Sequence, residues 1–343
     1  MKAATLLLVL ASGALAKDYE GKYKGDARLA AIAESLPAAL REARKRIRVQ
    51  GPVRIELRDL GNARRGIVAK TVQDADGFVI VLYTEPLVLQ MHECSSTLRH
   101  ELVHCLQKER WGARGEVTMP LWVKEGMAVY LSGQLESRER ALAAHVGRER
   151  VPVDAVSRLV NGLGGRHTLL DYAEDGAAFA GVEKRHGKQK AQQWIQELLK
   201  GVPPREAAAR VLGERWSVFA AASASHARRR LDPLVTKGRQ ELLALRAKLD
   251  AEEFDAALAL PVAGGVYAVE DAYYRAAVLH RLRRSADAME LLQNQLLGLT
   301  PRTTTILPQA IALEVELLAA LGRADQHAAA LRRSRLDLEP FLD

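Results

Sequence analysis

The chain has 343 residues and a formal net charge of +8 at pH 7, from 50 lysines and arginines against 42 aspartates and glutamates. Hydrophobic residues make up 48% of it, which is too many for an intrinsically disordered chain. The two cysteines exclude a disulfide scaffold and a four-thiolate zinc site. The length suggests roughly two domains, each large enough to bury its own core.

Residues 1–16 have the pattern of a secretory signal peptide. Lys2 supplies a positive charge, residues 3–10 are a short apolar run, and Ala14 and Ala16 are the small residues that precede a cleavage site. The apolar run is too short for a transmembrane helix, which needs about 20 residues. A buried N-terminal helix or an uncleaved anchor is the alternative. We expect a protein that is exported to the periplasm or the extracellular space and has no transmembrane span.

The predicted elements are a helix, a few strands and then many helices. Residues 27–48 repeat apolar side chains at helical spacing, with a break expected at Pro37. Three strands are predicted, at residues 53–58, 66–72 and 78–84, with a turn at 74–77 (Asp-Ala-Asp-Gly). From Ser95 the pattern is mostly helical, and Ser95 and Ser96 suit a helix N-cap. This order predicts an α+β fold.

The C-terminal part contains three similar segments, at residues 245–258, 279–292 and 318–331. Each combines a helix end, a short polar turn and an alanine-containing helix start, and their spacing is near that of tetratricopeptide-type helical hairpins. An ordinary helical bundle is the alternative. We therefore expect a catalytic domain at residues 17–235 and an all-α, repeat-like domain at 236–343 that offers a surface to a protein partner.

The motif that carries chemistry is His100-Glu101-Leu102-Val103-His104, within a helical segment. Residues four apart lie on one face of a helix, so the two imidazoles can bind one Zn²⁺. Glu101, next to the first ligand, can then reach a metal-bound water. A surface pair of histidines is the alternative interpretation.

A second helical segment, residues 120–131 (PLWVKEGMAVYL), supplies a third ligand. Glu125 follows His104 by 21 positions and can complete a His₂Glu site that leaves one position open to water, as in catalytic zinc sites. Cys105 directly follows His104 and points about 100° away around the helix. A disulfide between Cys94 and Cys105 would have to span roughly 16 Å along one helix. We therefore favour two free thiols.

The two motifs together resemble those of the gluzincin metallopeptidases. The run Trp122-x-x-Glu125-Gly126-x-Ala128 is similar to one in bacterial peptidase MA-like domains, and the resemblance covers about residues 50–230. It implies a zincin-type catalytic domain with zinc held by His100, His104 and Glu125. It further implies that Glu101 is the general base, and that residues 78–84 form the sheet edge that pairs with an extended peptide.

Gluzincins commonly add a Tyr or His that donates a hydrogen bond to the oxyanion. The resemblance makes Tyr172 the candidate, with His167 behind it; a packing role in its helix is the alternative for Tyr172. Trp122 is predicted to pack beneath the zinc helices. Many gluzincins carry an acidic residue four positions after the third ligand, where it orients a zinc-bound histidine. Here that position is Val129, so another acceptor must hold the ring.

These observations predict an exported zinc peptidase that acts on peptides or proteins. The exopeptidase motif for a free amino terminus is not evident, which favours an endopeptidase. One alternative is a catalytically inactive peptidase-like domain that binds partners through its helical repeats. Another, a nucleic-acid binder, is suggested only by charge. We do not expect nucleic-acid binding, because most of the basic clusters include or adjoin acidic residues and they lack stacking aromatics.

Overall fold

The computed structural model describes residues 27–59, 68–88, 94–149, 171–297 and 307–334. The described part is mostly helical and has one small three-stranded mixed sheet, in agreement with the predicted α+β class. No helix within these ranges is both long and apolar enough to cross a bilayer. The predicted signal peptide and His167 lie outside the described residues.

The described residues divide into two compact units. The first comprises residues 27–59, 68–88, 94–138 and 171–228; the second comprises 139–149, 229–297 and 307–334. The change at residues 228 and 229 falls within one helix, near the boundary expected at residue 235. The sequence did not indicate that residues 139–149 belong with the C-terminal helices.

The first unit begins with helix α1 (Ala27–Arg46), which includes Pro37. The predicted break at Pro37 is therefore wrong. A proline removes one backbone hydrogen bond from a helix interior. Here Ala33, Leu36 and Leu40 are buried along one face, and this packing stabilises the helix on both sides of the proline.

The sheet has the strand order β1-β3-β2. Strand β1 (Val53–Arg58) runs parallel to β3 (Gly77–Tyr83), and β2 (Ala69–Asp74) pairs with β3 in an antiparallel hairpin. The hairpin turn is the predicted one. Gly77 adopts a φ of 134°, and a Cβ there would lie 2.5 Å from the Pro52 carbonyl oxygen, so a larger residue does not fit.

The central position of β3 corrects one prediction. Residues 78–84 were expected at the sheet edge, but residues 78–83 are buried on both faces, and β2 is the edge strand beside the candidate site. Thr84 does not extend the strand, because it begins the short helix α2 (Thr84–Val88).

Five further helices follow α2 in the chain. They are α3 (Cys94–Thr118, interrupted by non-helical backbone at Gly112), α4 (Leu121–Ser132), α5 (Leu135–Glu149), α6 (Asp171–Leu199, interrupted at Gly187) and α7 (Pro204–Ala207, which continues as a π-helical turn over Ala208–Leu212). Because α3 begins at Cys94, Ser95 and Ser96 lie in its first turn and are not the predicted N-caps.

Helices α4 and α6 cross at two glycines. A Cβ at Gly126 would lie 2.6 Å from the backbone oxygen of Asp175, and a Cβ at Gly176 would lie 2.6 Å from a methyl group of Val129. Any larger side chain would force the helices apart. This close crossing brings the helix that carries Glu125 against the start of the helix that carries Tyr172.

An aromatic cluster lies beneath the same crossing. Trp122 is 1% exposed, and its ring lies 6.1 Å from those of Phe179 and Trp216 and 6.3 Å from that of Phe219. Such tilted contacts are favourable for aromatic rings. The predicted packing role of Trp122 is confirmed.

The remaining helices are α8 (Trp216–Thr236), α9 (Arg239–Asp250), α10 (Phe254–Ala259), α11 (Ala268–Arg281), α12 (Ser285–Leu292, followed by a π-helical turn over Gln293–Leu297), α13 (Leu307–Ala320) and α14 (Ala324–Ser334). The three similar sequence segments each span a helix, a three-residue turn and a second helix. Each turn places one residue in the left-handed region, namely Glu252, Arg283 and Gly322.

These three turns share one backbone hydrogen-bond pattern. In each, the left-handed residue donates to the carbonyl three residues earlier, and the next residue donates to the carbonyl five residues earlier. This is a Schellman motif, which satisfies the last carbonyls of a helix. The second unit therefore contains three helical hairpins with equivalent turns.

Candidate metal centre

Two helices bring three donor atoms to one point. Helix α3 places His100 and His104 one turn apart, and α4 supplies Glu125. The Nε2 atoms of the two histidines are 3.1 Å apart, and Glu125 Oε2 lies 3.2 Å from His100 Nε2 and 3.4 Å from His104 Nε2. His100 is 7% exposed, and the other two side chains are partly buried.

These separations fit a bound metal ion. Donors held about 2.0–2.1 Å from a tetrahedral zinc ion stand roughly 3.3–3.4 Å from one another, and the three distances agree with that value within about 0.3 Å. Two imidazoles and one carboxylate also form the donor set of open, catalytic zinc sites. Among the described residues, no other group of three potential ligands comes together in this way.

Gln107 orients His104. Its amide Nε2 donates a hydrogen bond to the Lys124 carbonyl oxygen at 2.9 Å, which turns Oε1 toward His104 Nδ1 at 2.8 Å. The Nδ1–H group of His104 donates to this oxygen, so the neutral imidazole directs the lone pair of Nε2 toward the metal position. Gln107 is 2% exposed, and its side chain links α3 to Lys124, the residue before Glu125.

The other ligand, His100, has no such support within the described residues. Its Nδ1 atom is buried and has no hydrogen-bond partner there. Val129, at the position where many gluzincins carry an acidic residue, is completely buried, and its apolar side chain cannot accept a hydrogen bond. The sequence analysis expected another hydrogen-bond acceptor in place of the acidic residue. Gln107 is this acceptor for His104. Among the described residues, His100 Nδ1 has none.

Glu101 lies beside the three ligands and is held by the edge strand. The Thr71 hydroxyl, on β2, is 2.8 Å from Glu101 Oε2 and 3.0 Å from the Glu101 backbone oxygen. Glu101 is 5% exposed and lines the same pocket as the ligands. With Oε2 engaged by Thr71, Oε1 is the oxygen left to exchange a proton.

The charge on Glu125 favours the protonated form of His104 when no metal is bound. Burial lowers the pKa of His104, but the Glu125 carboxylate outweighs this effect and raises that pKa to about 9. Burial also disfavours the charged form of Glu125, but the two imidazoles hold its pKa well below the usual range. At neutral pH the metal-free site therefore carries a protonated His104 beside an ionised Glu125.

The ligands open into a pocket of about 300 Å³. Its lining includes residues 68–71, at the start of the edge strand, together with Tyr172 and Arg138. The Tyr172 ring lies 6.2 Å from the His100 ring. The nearby Glu125 charge and burial both raise the pKa of Tyr172, so its hydroxyl keeps its proton and remains a hydrogen-bond donor.

Cys94 and Cys105 do not form a disulfide, as the sequence analysis favoured. Cys105 is buried, with its sulfur 3.9 Å from the Thr71 hydroxyl, and burial raises its thiol pKa to about 12. A thiol that stays protonated at neutral pH is a poor metal ligand.

Comparison with protein-family models, curated proteins and solved structures finds no match to this chain. The geometry of the site therefore carries the functional argument. The structure brings His100, Glu101, His104, Glu125 and Tyr172 into one pocket, as the sequence analysis expected. The sequence analysis missed Thr71, Gln107 and Arg138, and only Gln107 left a local signal, because it lies three residues after His104 on the same helix.

Proposed function

We propose that this chain is an exported zinc-dependent peptidase of the gluzincin type. The observation that carries the proposal is the convergence of His100, His104 and Glu125 on one point, with mutual distances of 3.1–3.4 Å. A set of two nitrogens and one oxygen favours zinc over harder ions such as magnesium. The predicted signal peptide supports export to the periplasm or beyond.

In this proposal His100, His104 and Glu125 would hold zinc, with room for solvent or substrate beside it. When bound, zinc would lower the pKa of a coordinated water toward neutrality and polarise the scissile carbonyl. Glu101 Oε1 takes the proton from the water that attacks the carbonyl carbon. Glu101 then passes this proton to the amine nitrogen as the C–N bond breaks.

The position of the substrate follows from the sheet edge. Strand β2 is the edge strand, and residues 68–71 line the pocket, so an extended peptide can add to the sheet there. This edge replaces residues 78–84 as the proposed substrate-binding strand. The protonated Tyr172 hydroxyl is the proposed donor to the oxyanion that forms at the carbonyl.

The alternative is an inactive scaffold that binds a partner through its helical hairpins. The Thr71 hydrogen bond to Glu101 favours catalysis, since a binding scaffold has no need of a positioned general base.

The test combines metal analysis with digestion of a mixed peptide library by the purified mature chain. Glu101→Gln should keep one zinc per chain and lose hydrolysis by several orders of magnitude. Glu136→Gln, at an exposed position on α5, is the matched control and should retain activity. A wild-type chain that binds zinc but cleaves no peptide would favour the scaffold interpretation.

A further inference from the structure

Arg138 is a cation in the pocket that the proposed reaction does not use. It lies in the first turn of α5, is partly buried and lines the pocket of the three ligands. Its guanidinium carbon lies 5.5 Å from the centre of the Tyr172 ring. Within the described residues its side chain makes this ring contact and no hydrogen bond or ion pair.

Among the described residues, the N–H groups of this partly buried guanidinium therefore have no protein acceptor. Arginine carries five N–H donors in a planar fork that matches a carboxylate, and buried arginines are normally paired. Burial lowers the pKa of Arg138, and the Glu125 charge acts in the opposite direction without coming within ion-pair distance. A contact with the face of Tyr172 stabilises the cation but satisfies none of its donors along the plane of the fork.

The charges that line the pocket favour an anionic ligand. The two carboxylates of the lining are Glu101 and Glu125, which the proposed mechanism already uses. Four cations line the same pocket, namely Lys70, Lys108, Lys124 and Arg138. A bound divalent metal would add to this positive charge, and a partly enclosed pocket strengthens its attraction for anions.

We propose that Arg138 binds a carboxylate of the peptide substrate, close to the scissile bond. This inference rests on the proposed peptidase function. The guanidinium lies 5.5 Å from the Tyr172 ring, which lies 6.2 Å from the His100 ring. Because an extended residue covers roughly 3.3–3.6 Å, the carboxylate belongs to one of at most about four residues next to the cleaved bond. A C-terminal carboxylate and an acidic side chain share the required chemistry.

The first test separates binding from catalysis in the zinc-loaded protein. Peptides are prepared in matched pairs, with a free C-terminal acid against the amide and with glutamate against glutamine near the cleaved bond. Wild-type protein should cleave the acidic member of one pair with the lower KM, which identifies the source of the carboxylate. Arg138→Gln should raise the KM for that acidic peptide at least tenfold. Its kcat for that peptide, and both KM and kcat for the neutral peptide, should stay within about twofold of the wild-type values.

The controls distinguish this role from others. Arg138→Lys should restore part of the discrimination, and Arg140→Gln, on the exposed surface of the same helix, should change nothing. If Arg138 instead stabilised the oxyanion, Arg138→Gln would lower kcat for acidic and neutral peptides alike. If Arg138 only packed against Tyr172, Arg138→Gln and Arg138→Lys would both lower the unfolding temperature, and the preference for the acidic peptide would remain. Either result would overturn the proposal.

The second test needs no activity. Three small probes are titrated into the metal-free protein and followed by NMR: N-acetylglutamine, the α-amide of N-acetylglutamate, and N-acetylglutamine amide. The first carries only a terminal carboxylate, the second only a side-chain carboxylate, and the third no charge. One of the two acids should bind, and Arg138→Gln should weaken it at least tenfold. If the neutral probe bound as tightly as the acids, the proposed carboxylate subsite would be wrong. If an acid bound to a protein that hydrolyses no peptide, only the proposed peptidase function would be wrong.

Discussion

The Gln107 side chain accepts a hydrogen bond from His104 Nδ1 at 2.8 Å. The same side chain donates to the Lys124 carbonyl oxygen, so one amide holds a proposed metal ligand of α3 and the backbone next to the proposed ligand of α4. It performs for His104 the orienting role that an acidic residue usually performs in zinc sites.

We expect Gln107→Leu to weaken zinc binding by about tenfold to a hundredfold, because His104 would lose the acceptor that sets its tautomer and ring orientation. The measurement is competition for zinc against a chromophoric chelator. Gln192→Leu, at an exposed position on α6, is the matched control. Unchanged affinity in Gln107→Leu would show that the hydrogen bond does not orient the ligand.

The crossing of α4 and α6 predicts a second effect, that of Gly126→Ala. The added methyl would lie 2.6 Å from the Asp175 backbone oxygen, so the helices must separate. We expect the free energy of unfolding to fall by about 1–3 kcal/mol, with weaker zinc binding as Glu125 shifts. Urea denaturation gives the first quantity and chelator competition the second. In Gly264→Ala the new methyl meets only an ordinary contact at 3.7 Å, and both quantities should stay near those of the wild type.

Zinc binding should release a proton. The Glu125 carboxylate, against the effect of burial, raises the pKa of metal-free His104 to about 9, so this imidazole is protonated at neutral pH. Only the neutral imidazole binds a metal, so zinc must displace this proton. Apparent affinity should therefore rise about tenfold per pH unit from neutral pH and level off above about pH 9. Calorimetry at pH 7 in two buffers of different ionisation enthalpy measures the release. Identical heats in the two buffers would contradict the prediction.

Thr71→Val should impair catalysis and spare the metal. Valine matches threonine in size but cannot donate to Glu101 Oε2, which would free the proposed base to adopt other positions. A hydrogen bond to a charged group contributes about 1.5–3 kcal/mol, so we expect kcat to fall roughly tenfold to a hundredfold. Zinc content, measured on the same sample, should not change. Thr236→Val removes an exposed hydroxyl and serves as the control.

Much of the candidate site could be predicted because its chemistry is local. The two histidines lie on one helix face by spacing alone, and the turn at residues 74–77 is fixed by residues that favour it. The turns of the three C-terminal hairpins are also local features. Glu125 lies on a different helix, and it was found because its own segment carries a recognisable run of residues.

The remainder depended on tertiary contacts. The central place of β3 results from pairing with β1, although its unbroken apolar run, residues 78–83, is the pattern of a strand buried on both faces. The sequence analysis predicted an edge strand there and did not use this signal. Pro37 remains within α1 because the helix buries one face. The low helix propensity of proline does not take such tertiary packing into account. Arg138 left no local signal, because its role depends on Tyr172, 34 positions later in the chain.

The central claim is that His100, His104 and Glu125 hold one metal ion, and the zinc content of the purified mature chain tests it most directly. After equilibration with zinc and desalting, the wild-type protein should retain about one zinc per chain, and His104→Ala and Glu125→Ala should retain less than about a tenth of that amount. A folded wild-type protein that retains no zinc, or a His104→Ala protein that retains as much as the wild type, would contradict the account.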